Sequence, residues 1–359
     1  MHNHNKFFEQ IKAGYRLFDK TIKSRYNWRI YNMNVIEVKN LRKEFQIKQK
    51  RAGLKNGLAF LLRPEYKNIK AVDDLSFSVS RGELLAFIGP NGAGKSTTIK
   101  MLTGILFPSS GHIDVLGFDP TKERQKLAYN IGSVFGQKPQ LWYHLPAIDT
   151  YNLLARIYEL DQREYKKHLA FLVEAFEIGD LLNTPVRKLS LGQRMRCEIA
   201  ASLIHKPKII FLDEPTIGLD VVAKQHIREV IKYLNEKEKV TIFLTSHDAG
   251  DIESLAKRTI IVNFGKIIFD GPTENLKKNY IKSKIVELVT EDPIEDFNFQ
   301  GGKIIEKGKF DIKVELDISK NSIDKLLSFA IENFNIKDIN IFDPPLEEII
   351  ADIYRAQKL

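Results

Sequence analysis

Leu84-Leu85-Ala86-Phe87-Ile88, followed at once by Gly89-Pro90-Asn91-Gly92-Ala93-Gly94-Lys95-Ser96-Thr97, decides how this chain is read. The apolar run predicts a buried strand. The segment after it fits G-x-x-x-x-G-K-[ST] and leads into a helical pattern over 97–106. In that order the glycines let backbone N–H groups wrap a polyphosphate, and Lys95 can reach its terminal phosphates. The Ser96 hydroxyl can ligate Mg2+ at a helix N-terminus whose dipole favours anions. Gly89, Asn91, Gly92, Ala93, Gly94, Lys95, Ser96 and Thr97 are therefore candidate nucleotide-binding residues, a reading that outweighs a decorative glycine-rich turn.

Further strands are expected at 36–38, 75–79, 209–212, 241–245 and 259–263, several followed by a turn and a helix. Strands alternating with helices predict an α/β fold on a mostly parallel sheet. Residues 138–192 are helix-rich and punctuated by Pro139, Pro146 and Pro185. After about residue 280 the pattern changes to strands at 285–289, 303–306, 310–316 and 336–341 with helices at 322–333 and 346–355, a small α+β unit. The expected organisation is an extension over 1–34, a main domain over 35–280 with a helical part at about 138–192, and a C-terminal domain over 281–359. A basic insert at 49–69, carrying Gly57-Leu58-Ala59-Phe60-Leu61-Leu62, is expected as a surface hairpin or short helix.

Composition narrows the function classes. The 359 residues are 43% hydrophobic and 28% charged, which suits a chain that buries a real core and excludes disorder or fibrous repeats. Lys+Arg number 55 against 46 Asp+Glu, but residues 1–70 hold 17 basic against 5 acidic side chains, and the remainder is nearly neutral. No nucleic-acid partner is expected of the main body. In the basic segment, Phe7, Ile11, Tyr15, Phe18, Ile22, Tyr26 and Ile30 recur at helical spacing over 6–31. That pattern suits a helix lying on an anionic membrane surface, or a dispensable extension ahead of Met33. Cys197, the single cysteine, cannot make an internal disulfide or a cysteine-rich metal site, which points to a reducing compartment. No apolar run is long enough to cross a bilayer, and no basic-then-apolar leader opens the sequence, so neither spanning nor secretion is expected.

Two more segments carry chemistry. Ile209-Ile210-Phe211-Leu212-Asp213-Glu214-Pro215 is an apolar strand ending in paired acids. A nucleotide-hydrolysing P-loop enzyme needs one acid for the Mg2+ shell, here Asp213, and a second to polarise the attacking water, here Glu214. Upstream, Leu189-Ser190-Leu191-Gly192-Gln193 opens a helix that Ser190 can cap, with a nearby glycine leaving N–H groups open to an anion.

With these motifs in this order, residues 35–275 resemble the ATP-binding subunit of ABC transporters, whose cassettes pair a P-loop with an LSGGQ signature, here LSLGQ. The branch that it looks closest to is the ATPases of bacterial type 2 exporters. The resemblance implies ATP and Mg2+ as cofactors and Gln137 as the glutamine that reaches Mg2+ or water and couples to a membrane partner. It also implies His247 as the switch histidine that senses the γ-phosphate, Phe45 as the aromatic stacked on adenine, and Asp220 in the loop that touches an opposite subunit. Ser190, Gly192 and Gln193 would contact phosphate from the second copy, while Leu191 replaces the usual glycine. Implied partners are an integral-membrane permease and a second ATPase subunit, identical or related, at the cytoplasmic face of the membrane. A soluble ABC-type ATPase acting on ribosomes or nucleic acid is the alternative. The C-terminal unit resembles an accessory domain serving regulation or dimer support. The other histidines, 2, 4, 112, 144, 168, 205 and 226, lack paired ligand spacing and are expected at the surface.

Overall fold

The computed structural model describes residues 34–48, 66–136, 139–281 and 283–356. The helix expected over 6–31, residues 49–65 of the insert, and Gln137 lie outside the described residues. The chain divides into two units at Asp270 and Gly271.

The first unit opens with β1 (Asn34–Lys48) and β2 (Tyr66–Ser80), which pair antiparallel from Asn34 opposite Ser80 to Lys48 opposite Tyr66. Residues 66–69, expected in the insert, therefore belong to a strand, because β1 supplies their backbone partners and sets Ile69 opposite Phe45. The order continues β3 (Leu84–Ile88), α1 (Lys95–Leu102), β4 (Ser110–Val115), α2 (Arg124–Ala128), β5 (Ile131–Phe135), α3 (Ala147–Ile157), α4 (Gln162–Ala175) and α5 (Leu191–Leu203). It then runs β6 (Ile209–Asp213), α6 (Val221–Glu236), β7 (Thr241–Thr245), α7 (Ala249–Leu255), β8 (Arg258–Asn263) and β9 (Lys266–Pro272).

Six of these strands form one sheet in the order β5-β6-β7-β3-β8-β9, with β5, β6, β7, β3 and β8 parallel to their neighbours. Parallel strands are covered on both faces, which is why β3 and β7 are buried from end to end and read as continuous apolar runs. A second, antiparallel sheet has the order β2-β1-β4. The two sheets meet over aromatic rings: Phe77 of β2 lies 5.6 Å from Phe87 of β3 and 6.2 Å from Phe243 of β7, centroid to centroid. Burying each such ring contributes about 1.5–3 kcal/mol. Arg258 fastens the same seam by donating to Ser78 O at 2.9 Å and Glu83 Oε1 at 3.1 Å while forking onto Asp270. These contacts hold its guanidinium pKa above the ordinary value, led by the hydrogen bond to Asp270.

In the second unit, α8 (Thr273–Tyr280) packs with the last helix, so the division falls ahead of the expected 280/281 boundary. Then come β10 (Ser283–Thr290), β11 (Gly302–Lys307), β12 (Asp311–Asp317), α9 (Ile323–Asn333), β13 (Ile336–Phe342) and α10 (Leu346–Ala356). The strands pair antiparallel in the order β11-β12-β10-β13. Alternate residues Val286, Leu288, Ile312, Val314 and Leu316 are buried with Leu326 and Ala330 of α9, the two-residue period of a half-covered sheet. Among the described residues, no helix is long and apolar enough to cross a membrane.

Candidate functional site

The carboxyl ends of β3, β5 and β6 open onto a cavity of about 530 Å3. Ligands of parallel sheets settle at such strand ends. Its wall includes Asn91, Gly92, Ala93, Gly94, Lys95, Ser96 and Thr97, together with Asp213 and Glu214. Sequence motifs far apart in the chain thus converge on one volume.

The glycines are dictated by space and backbone. A Cβ on Gly89 would stand 2.4 Å from Val262 O; one on Gly94 would stand 2.4 Å from Ala71 O, and Gly94 also has φ of 103°. As the N-cap of α1, Gly94 offers no side-chain acceptor, so the first-turn N–H groups keep their capacity for an external anion. Lys95 is 6% exposed, and its ammonium donates to Gly89 O at 2.7 Å and Pro90 O at 3.3 Å. Backbone donors at a helix start, a buried ammonium and a hydroxyl at Ser96 form a donor set that fits a polyphosphate. The adjoining Ser96 and Asp213 oxygens fit a hard divalent cation.

Opposite this loop, Asp213 ends β6 beside Thr245 of β7, whose hydroxyl donates to Asp213 Oδ1 at 2.5 Å. Glu214 adopts φ of 54°, uncommon for a side chain of its size, and its N–H donates to Thr245 O at 3.0 Å. That turn sets the Glu214 carboxylate between two basic groups, 3.7 Å from Lys95 Nζ and 3.4 Å from His247 Nδ1. A Cβ on Gly136 would stand 2.6 Å from Glu214 O, so the end of β5 closes tightly on this acid.

The residues on either side of His247 are held from behind. Asp251, fully buried, accepts from Thr216 Oγ1 at 2.5 Å, Ser246 Oγ at 2.7 Å and Arg228 Nε at 2.7 Å. Arg228 also donates to Asp248 at 2.9 Å. The turn bearing His247, the stretch after Glu214 and helix α6 are therefore joined by one charged network.

Ser190, Gly192, Gln193 and Asp220 do not line the cavity. They gather elsewhere: Ser190 and Gln193 form a reciprocal capping box on α5, with bonds of 3.2 and 2.9 Å, and Asp220 caps α6 through Ala223 N at 2.9 Å. Gly192 lies against Ala223, where an added Cβ would come within 3.0 Å, so the two helix starts are neighbours. Phe45 is not part of the cavity wall either; it sits on β1, 36% exposed, with Lys43 Nζ 5.2 Å from its ring centre. The wall instead takes Ala71, Lys100, Ile105 and Phe135, which no motif marks. Thr245 and Asp251 were likewise invisible as site residues.

Three of the described histidines depart from the surface expectation. His226 has its side chain 21% exposed, with Nδ1 3.8 Å from Glu177 Oε2. His168 is 8% exposed with Nε2 2.9 Å from Leu203 O, and burial lowers its pKa to about 4. His205 is partly buried, with Nε2 2.9 Å from Ile131 O and its ring stacked on Tyr158 at 4.0 Å. His168 and His205 both find a backbone carbonyl as partner, which lets a neutral ring serve as packing.

Comparison with known proteins places these features. A family model described as ABC transporter matches residues 72–217. The ABC transporter ATP-binding protein NatA of Bacillus subtilis is 36% identical over 232 residues, covering 62% of this chain and 94% of NatA. The bacitracin transport ATP-binding protein BcrA of Bacillus licheniformis is 36% identical over 216 residues, covering 59% of this chain and 68% of BcrA. Among solved structures, a bacterial ABC transporter cassette in dimeric form aligns with a TM-score of 0.53 and 25% identity, covering 66% of this chain and 98% of that one.

Proposed function

The chain belongs to the ATP-binding proteins of ABC transporters, and on that premise we propose that it binds ATP with Mg2+ in the cavity at β3 and hydrolyses it to drive a separate membrane permease. Bound Mg2+, held by the Ser96 hydroxyl and the Asp213 carboxylate, supplies charge neutralisation on the phosphates. The chain's own groups do the rest. Lys95 and the N–H groups of 92–97 hold and orient the terminal phosphates, and Thr245 keeps the Asp213 carboxylate aimed. Glu214, steered by its left-handed backbone, accepts the proton of the attacking water, and His247 beside it orients that water and the γ-phosphate. Gln137 is assigned to the Mg2+ or water contact and to coupling.

The single observation that carries this reading is the convergence of Lys95, Glu214 and His247 within 4 Å contacts at the mouth of a glycine-lined anion cradle. The separate gathering of Ser190, Gly192, Gln193 and Asp220 supports a second ATPase subunit, identical or related, that completes the site by offering those residues to the nucleotide of its partner. BcrA is named for bacitracin transport, which supports a transport role, and a peripheral place at the cytoplasmic membrane face and the export direction are part of the same proposal. The relatives compared are named for transport, and none for ribosomes or nucleic acid. Phe45, on β1, is kept as a candidate adenine contact, and the C-terminal unit is assigned to regulation or dimer support.

The test is phosphate release from ATP by the purified full chain. Turnover is expected with Mg2+ and not with excess chelator, and Lys95→Ala is expected to remove it; turnover indifferent to Mg2+ and to Lys95 contradicts the assignment.

A further inference from the structure

Helix α5 buries a carboxylate. Glu198 is 3% exposed, and its two oxygens accept the N–H of Gln140 at 3.0 and 2.9 Å, with Leu141 N at 3.3 Å from Oε1. Burying an anion is costly unless hydrogen bonds compensate it, and here the compensating donors are backbone groups of a different segment. Burial also raises its pKa.

What Glu198 grips leads directly to exposed apolar surface. Gln140 and Leu141 precede Trp142 and Tyr143, which are 48% and 49% exposed, and Leu145 follows at 39%. The same place is cross-braced: Tyr151 OH of α3 donates to Cys197 O of α5 at 2.9 Å, and Trp142 N donates to Thr150 Oγ1 at 3.4 Å. The other end of α5 is the capping box at 190–193. Eight residues of helix separate Ser190 from Glu198, roughly 12 Å at 1.5 Å per residue. One rigid element therefore joins the capping-box turn at 190–193 to the root of the aromatic surface.

We propose that Glu198 is a positioning residue that ties residues 140–141 to α5, so that a displacement of the 190–193 end is passed to Trp142, Tyr143 and Leu145. The inference rests on the ATP-site reading above and adds to it the residue through which nucleotide state reaches the partner-facing surface. The chain has two tryptophans, Trp28 and Trp142, so Trp28→Phe leaves Trp142 as the only indole reporter in the full chain. The probe is a non-hydrolysable ATP analogue with Mg2+, its affinity read with a fluorescent nucleotide and the response read as Trp142 emission. In the parent, the analogue shifts that emission. Glu198→Ala is expected to cut the response about fivefold or more, with nucleotide affinity kept within about twofold because the sites are distant.

Glu198→Gln preserves the shape and an acceptor oxygen for Gln140 N–H, and it is expected to restore about half of the response, as a neutral bond is roughly half as strong as a charged one. An unchanged Trp142 response in Glu198→Ala overturns the proposal. So does a parent that binds the analogue with no Trp142 change, and so does a parallel loss of affinity, which marks a merely structural role. A parent that binds no nucleotide at all overturns the ATP-site reading itself, a result read from the fluorescent nucleotide and so distinct from the others.

Discussion

Glu214→Gln lowers the rate of ATP hydrolysis by about 10²- to 10⁴-fold, the contribution of a positioned general base, while leaving ATP bound. The substitution keeps the side-chain shape and removes the charge that now lies 3.7 Å from Lys95 Nζ and 3.4 Å from His247 Nδ1. Glycines of the 89–94 loop, the ammonium of Lys95 and the hydroxyl of Ser96 are untouched, so the phosphate cradle persists. With hydrolysis blocked, the proposed pairing of subunits through ATP is expected to persist. Single-turnover phosphate release together with equilibrium nucleotide binding checks both halves of this expectation. Undiminished turnover in Glu214→Gln removes this residue from the role of base.

Asp251→Ala destabilises the first unit by about 3–5 kcal/mol, the usual consequence of deleting one partner of a buried ion pair. Asp251 is fully buried, and its loss takes from the Arg228 guanidinium, 17% exposed, one of its two carboxylate partners, leaving only Asp248, and takes the acceptor from the hydroxyls of Thr216 and Ser246. The effect reaches the chemistry, because Ser246 adjoins His247 and Thr216 lies two residues beyond Glu214. Both the unfolding midpoint and catalytic turnover should fall. Asp251→Asn, which retains acceptor capacity for a hydroxyl, should lose less on each count. Thermal or urea unfolding of the two variants beside the parent measures it, and an unfolding free energy within about 0.5 kcal/mol of the parent for Asp251→Ala, the ordinary range of a surface change, contradicts the network's structural weight.

Much of this site could be read before any fold was known, for a physical reason. Residues 89–97 act through consecutive backbone groups, and Asp213 with Glu214 sit side by side at a strand end, so each half of the chemistry is written in contiguous residues. Their meeting depends on β3 lying near β6 across β7 in the sheet, a topology that parallel apolar runs imply without specifying. The residues that escaped notice act at a distance in sequence. Thr245 aligns Asp213 from the next strand, Asp251 ties Ser246, the residue before His247, to Arg228 of α6, and Ala71, Ile105 and Phe135 join the wall only because the fold brings separate segments there. Glu198 escaped for a related reason, since a charged residue on a mixed helix reads as solvated until the segment at 140–141 is seen to cover it. Strand β4 was missed because half of it is exposed and its pattern weak. Phe45 shows the opposite case: a position implied by resemblance lies on β1 outside the cavity wall, where the ladder continues to Lys48 opposite Tyr66.

The measurement that tests the central claim most directly is a pull-down of the tagged full chain from detergent-solubilised membranes of its own host, with co-purifying proteins identified by mass spectrometry. The account predicts a multi-span membrane protein in stoichiometric amount. Ribosomal proteins or nucleic acid in its place would contradict it and assign the same ATP chemistry to a soluble machine.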